Sequence, residues 1–212
     1  MLNGPAMPHW TQRKRAFRGK AATILATLFA IMASLTLIGL FGIDFRAPQP
    51  TVQIGGPFTL LDSSGQLVTD RTFRGKWMLV YFGYTYCPDV CPTTLNEMAE
   101  ALDKLGPDAA KVAPLFITVD PERDTAAVLR EYVKAFDTRI RGLTGRPEQI
   151  AAIAREYRVF YRKSDAEKGA KDYLMDHSSL IYVMNPAGQF TAFFSHDVTS
   201  DDIANGLRKF MD

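Results

Sequence analysis

The sequence predicts a mixed α/β domain, one sheet with helices on both faces, behind a single N-terminal membrane-spanning helix. Three observations carry this. Short apolar runs of strand length alternate with stretches of helical period from residue 58 onward. Residues 21–43 form a 23-residue stretch without a charge, preceded by five cations (Arg13, Lys14, Arg15, Arg18, Lys20) and no acid. Between the two lies 44–57, whose three prolines and two glycines are linker composition.

The expected division is a basic tail at 1–20, a transmembrane anchor at 21–43, a linker at 44–57 and the domain at 58–212. At about 1.5 Å per residue the uncharged stretch reaches about 34 Å, enough for a hydrocarbon core of about 30 Å. A cleaved signal peptide is the competing reading. The apolar run is too long for one, and no A-x-A site follows Ile43. Cations before the span keep the N-terminus inside and put the domain outside. That suits a cytoplasmic membrane with the domain in the periplasm, or a mitochondrial inner membrane facing the intermembrane space. Beyond residue 43, 20 of the 25 cations face all 23 acids, a net of −3, which excludes a basic nucleic-acid footprint.

Within the domain, 58–61 and 67–69 flank Asp62-Ser-Ser-Gly65 as a hairpin. Residues 77–82 are a continuous apolar run, suited to a buried parallel strand. A helix is expected over 92–105, with Leu95, Met98, Leu102 and Leu105 as its stripe and Gly106-Pro107 as its stop. A second buried strand follows at 112–119. Asp124 or Thr125 caps a helix to about 136, with Val128, Leu129, Tyr132, Val133 and Phe136 inward. A short strand and turn at 143–145 and a helix at 147–160 come next. Residues 161–176 read as a charged, mobile loop. A hairpin of 179–184 and 190–194 turns at Asn185-Pro-Ala-Gly188, and a helix at 199–211 closes the chain under a Thr199 or Ser200 cap. Among small α/β architectures a thioredoxin-like fold suits this order best.

The chain has two cysteines, Cys87 and Cys91, after a buried strand and at the opening of a helix. Spacing i, i+4 brings both sulfurs to one helical face. Unpaired N–H groups and the positive end of the helix dipole favour a thiolate at Cys91. A plain stabilising disulfide is the alternative, but a bridge this short removes little loop entropy. The C-x-x-x-C spacing also departs from the C-x-x-C of thioredoxin-type oxidoreductases. Of three histidines, His9 precedes the anchor and His196 follows the last strand as a surface residue. His177 lies just before a predicted central strand, where the fold packs that turn beside the cysteine helix. Two thiolates and an imidazole form a small, soft three-ligand site: thiolate donors select Cu(I), and imidazole suits Cu(II) and zinc as well. Met98 and Met175 are read as packing residues rather than ligands.

Four segments carry a family resemblance: Tyr81-Phe-Gly-Tyr-Thr-Tyr-Cys-Pro-Asp-Val-Cys-Pro92, Val119-Asp-Pro-Glu-Arg-Asp-Thr125, Gly142-Leu-Thr-Gly145 and Tyr173-Leu-Met-Asp-His-Ser178. Together they resemble the Sco/SenC copper chaperones of cytochrome oxidase assembly. The resemblance implies a peroxiredoxin-related thioredoxin fold and Cys87, Cys91 and His177 as ligands of Cu(I) or Cu(II). It also implies two partners, cytochrome c oxidase subunit II with its dinuclear copper centre, and a copper donor protein. Asp120 ends a strand near the site and is expected to orient His177 or tune a thiol. Asp124 is read as helix-cap chemistry and Asp89 as exposed. Tyr84 and Tyr86 are open between packing and a docking surface.

Two activities share the cysteines. One is a metallochaperone; the other is an enzyme, a thiol–disulfide reductase keeping the target's cysteines reduced. A peroxidase is excluded by its P-x-x-x-T-x-x-C pattern, since Thr85 stands two residues before Cys87 and no proline matches. The charge asymmetry predicts that a reporter active only outside the cytoplasm, fused after Asp212, is active. An inactive but stably expressed fusion reverses the orientation.

Overall fold

The computed structural model describes residues 24–34, 36, 53–164 and 173–212. The chain divides into two units, Met1–Thr51 and Val52–Asp212, the second carrying the α/β domain. In the first, 24–34 are helical. Among the described residues no helix is long and apolar enough to cross a membrane. The expected basic tail, most of the linker and the rest of the expected anchor lie outside them.

Seven strands form one sheet in the order β2-β1-β5-β4-β3-β8-β9. They are β1 (Thr59–Asp62), β2 (Leu67–Thr69), β3 (Trp77–Gly83), β4 (Val112–Thr118), β5 (Arg141–Thr144), β8 (Ile181–Met184) and β9 (Phe190–Phe194). The sequence dictates the centre. β3 reads Trp-Met-Leu-Val-Tyr-Phe-Gly, apolar on both faces, and six of its seven residues are buried, as a strand covered on two sides must be. It pairs in parallel with β4 from Trp77↔Val112 to Gly83↔Thr118. β5 continues the parallel block, and β1 and β8 flank it antiparallel.

Four helices complete the domain: α1 (Val90–Leu105), α2 (Ala126–Lys134), α3 (Pro147–Glu156) and α4 (Ser200–Met211). They cover both faces. On one, Trp77 stacks on Phe210 of α4 at 5.9 Å, and Phe116, the cross-strand partner of Tyr81, meets Tyr132 of α2 at 5.5 Å. On the other, Phe82 meets Tyr157, at the end of α3, at 5.3 Å.

Val128, expected inward on α2, is exposed, and three further local expectations change. The helix at 147–160 stops at Glu156 because Arg158 turns left-handed, φ 57°, and the Val159 N–H closes the end on the Ala154 carbonyl at 2.8 Å. The loop at 161–176 begins and ends in strands. β6 (Tyr161–Lys163) and β7 (Met175–His177) pair antiparallel as a separate ribbon, with Tyr161 opposite His177. Residues 165–172, the body of that loop, lie outside the described residues. Finally, Thr125 rather than Asp124 caps α2, its side chain accepting from the Val128 N–H.

α4 is held by a narrow apolar stripe, Ile203, Ala204 and Leu207, all buried against α1. Leu207→Ala leaves a cavity there and is expected to cost about 2–5 kcal/mol. It reads out as a lower urea midpoint at unchanged slope. An unchanged midpoint contradicts the docking of α4.

Candidate metal centre

The site is built where the parallel strands β3 and β4 end. After Gly83 the chain turns through Thr85 and Tyr86 to Cys87 and enters α1 at Val90. A buried carboxylate fixes that turn. Asp124 accepts from the Thr85 N–H at 3.1 Å, the Thr85 hydroxyl at 2.6 Å and the Thr118 hydroxyl at 2.6 Å. Burial raises its pKa above the usual carboxylate value, against the hydrogen bonds that lower it. Its place in the site was missed in the sequence, where an Asp before a helix reads as a cap. The two threonines that engage it are not adjacent to it in the chain.

Gly83 supplies clearance. A Cβ there would stand 2.7 Å from the Cys91 Sγ and 2.8 Å from the Phe116 ring. A glycine inside a strand is a sequence signal for such an approach, and it went unused.

The sulfurs converge, though not as two residues on one helix face. Cys87 lies three residues before α1, and Cys91 is the helix's second residue. Asp89, at the cap position, makes no side-chain cap bond. Instead the Cys91 N–H points to the Cys87 Sγ at 3.4 Å, so a sulfur takes the place of the capping oxygen. Both thiols are free and buried. His177 closes the group from β7, its Nε2 3.5 Å from the Cys91 Sγ. Its Nδ1 lies 3.1 Å from the Ser178 carbonyl, which can only accept. Nδ1 therefore carries a proton, and Nε2 faces the sulfurs. The edges of Tyr81 and Tyr84 hold the ring, centroids at 6.4 and 5.7 Å. All three donor atoms lie within 4.8 Å of one another, and among the described residues no other His, Cys, Asp or Glu group is so disposed.

The charge falls on the other cysteine from the one expected. The hydrogen bond from Cys91 lowers the Cys87 pKa, helped by His177 and by the Asp89 and Cys91 N–H groups, against burial. Donating that bond raises the Cys91 pKa, and burial and the neighbouring negative charge raise it further. The two shifts are opposed and favour the negative charge on Cys87. The helix-end argument still applies, because the Cys87 sulfur is the atom that meets the free N–H groups.

A family model described as SCO1/SenC matches residues 46–212. The chain belongs to the SCO1/SenC family. "Protein SCO1 homolog 1, mitochondrial" of Arabidopsis thaliana is 46% identical over 162 residues, 74% of this chain. The match spans 48% of that relative, about half its length. The crystal structure of Arabidopsis thaliana ScoI with copper bound superposes with a TM-score of 0.70 at 45% identity, covering 74% of this chain and 98% of that one. Bradyrhizobium japonicum ScoI with copper bound gives 0.69 at 46%, covering 74% and 99%. The domain thus has the thioredoxin-like fold of the SCO1/SenC family.

The remaining expected residues separate. Asp120 is buried, but its carboxylate engages Arg123 Nε at 2.5 Å and the Tyr173 hydroxyl at 2.7 Å. The imidazole's hydrogen-bonded partner is the Ser178 carbonyl, so Asp120 does not orient it directly. Tyr84 is buried and Tyr86 is 57% exposed, which divides the pair between packing and surface. Asp89 and His196 are exposed, and Met98 and Met175 are buried in the core. His9 lies outside the described residues. Tyr81 was not singled out, yet its hydroxyl donates to the Cys91 Sγ at 3.7 Å.

This charge division predicts selective alkylation. As pH falls through the ordinary thiol range, Cys87 should keep reacting with iodoacetamide while Cys91 stays unmodified. Fragment mass spectrometry distinguishes the two, and preferential labelling of Cys91 reverses the assignment.

Proposed function

We propose that this protein is a copper metallochaperone, with Cys87, Cys91 and His177 as the donors. One observation carries the reading: two sulfurs and an imidazole nitrogen within 4.8 Å of one another. The donor set fits copper in both common states, since thiolates select Cu(I) and imidazole serves Cu(II). Copper-bound relatives of the same fold support the choice of metal. Here copper is cargo. Both cysteines would bind as thiolates, Cys91 giving up its proton, and His177 would bind through Nε2. Delivery is then an exchange of these donors for those of a receiving site. The receiving site we propose is the dinuclear copper centre of cytochrome c oxidase subunit II, with a second protein as copper donor. In this reading residues 1–20 are a basic tail, 21–43 an anchor and 44–57 a linker that holds the domain 58–212 on the outer side of a cytoplasmic or mitochondrial inner membrane.

A second reading, a thiol–disulfide reductase, is favoured by the same coupled thiols. A Cys87 thiolate attacks a target disulfide and Cys91 resolves the mixed disulfide. The target gains two thiols, and this chain ends with a Cys87–Cys91 bridge. His177 separates the two readings, because dithiol exchange has no need of its lone pair.

His177→Ala removes one donor and leaves both sulfurs. Copper affinity of the reduced protein is expected to drop at least about tenfold, in line with loss of a ligating side chain. Oxidase activity should fall in cells relying on the variant, while thiol reactivity changes only modestly. Intact oxidase assembly at limiting copper would sink the copper role and leave the reductase.

A further inference from the structure

The ribbon carrying His177 belongs to a sheet of its own, with no backbone ladder to the seven-stranded sheet. Its placement against the sulfurs therefore depends on side chains, and the turn after β4 supplies them. The Arg123 guanidinium lies 3.6 Å from the ring centroid of Tyr173, 4.5 Å from that of Tyr86 and 5.9 Å from that of Tyr84. Tyr84 and Tyr86 are on the segment leading to Cys87. Tyr173 is on the segment leading into β7. Asp120 fixes both sides of this arrangement, accepting from Arg123 Nε and from the Tyr173 hydroxyl. Two residues after Asp120, Glu122 accepts from Lys163 of β6 at 2.7 Å, and Lys163 lies 4.4 Å from the Tyr173 ring centroid.

We propose that Arg123 is a positioning residue for the metal centre, its flat guanidinium joining the Cys87 segment to the His177 ribbon. The hydrogen bonds of Arg123 do not account for its place, because Nη2 is buried without a partner. Its faces do: aromatic rings from both donor-bearing segments lie against it. A lysine offers a point charge and no plane, so it does not substitute. The clasp also explains the burial of Asp120, whose charge is matched by Arg123 and which acts on His177 only through Tyr173 and the ribbon. This proposal rests on the copper reading of the site, but its mechanical part concerns the metal-free protein.

The test compares the full chain with Arg123→Lys, Tyr173→Leu and His177→Ala. In the metal-free proteins, amide exchange in Tyr161–Lys163 and Met175–His177 should quicken at least about tenfold for Arg123→Lys and Tyr173→Leu, as local opening becomes easier. Exchange in β3 and β4 should stay as in the parent, which separates loss of position from loss of fold. With Cu(II) added, the nitrogen coupling in the electron paramagnetic resonance spectrum should weaken in both variants and vanish in His177→Ala. Parent-like ribbon exchange and parent-like nitrogen coupling in Arg123→Lys and Tyr173→Leu would overturn the proposal. Nitrogen coupling that survives in His177→Ala sinks the copper reading instead, and ribbon exchange then still decides whether Arg123 holds the ribbon.

Discussion

The candidate metal centre depends on a buried carboxylate that touches none of its three converging side chains. Asp124 draws the end of β4 and the turn after β3 together through Thr118 and Thr85, and that turn delivers Cys87. A carboxyl group removed from water at this depth is tolerated because each nearby hydroxyl and amide is aimed at it. Without it, two threonine hydroxyls and an amide would be left with unmet hydrogen-bonding capacity beside the sulfurs. The pairing of β3 with β4 brings the segments close; Asp124 sets the turn between them.

Much of this was legible in the sequence. The central strands were, because apolar runs without alternation have only the middle of a covered sheet to occupy. α4 was, with its cap at Thr199. The three candidate donors were expected from residue type and spacing together with the family's motifs, and the structure brings their side chains together. What was hidden has a common physical cause. The β6–β7 ribbon contains Lys163, Asp176 and Arg162, so charge disguised it as loop. Its charged pairs, such as Arg162 with Asp176 at 3.0 Å, lie toward solvent, while Met175 and Tyr161 pack against the core. Arg158 hid the end of α3, since a left-handed arginine leaves no mark comparable to a glycine. Asp124 and Arg123 sit in a motif that was quoted, but Thr85, Tyr86 and Tyr173, which place them in the site, lie on segments far along the chain.

The thiol pair shows how geometry assigns one charge between two like groups. Both sulfurs lie in a space of low polarity, and two adjacent negative charges there would repel strongly. Position breaks the tie. Cys87 collects N–H donors from the helix entrance, while Cys91 is enclosed by Tyr81, Gly83 and His177. The outer sulfur is the charged one and the inner sulfur keeps its proton. A site arranged this way is poised either to capture a cation or to open a disulfide, which is why the imidazole carries so much of the distinction between them.

Gly83 has a consequence for how sequence can drift around such a site. The absent Cβ sets the depth to which Cys91 can sink against the sheet. Thr85 and Tyr86, nearer the visible chemistry, are half-exposed and exposed, so what limits change there is the hydrogen bond to Asp124 and the contact with Arg123 rather than crowding. At Gly83 even one methyl group must push back either a sulfur or the Phe116 ring. Mutational tolerance therefore does not grade smoothly with distance from the donors: the most restricted position in this neighbourhood is one that offers no functional group at all.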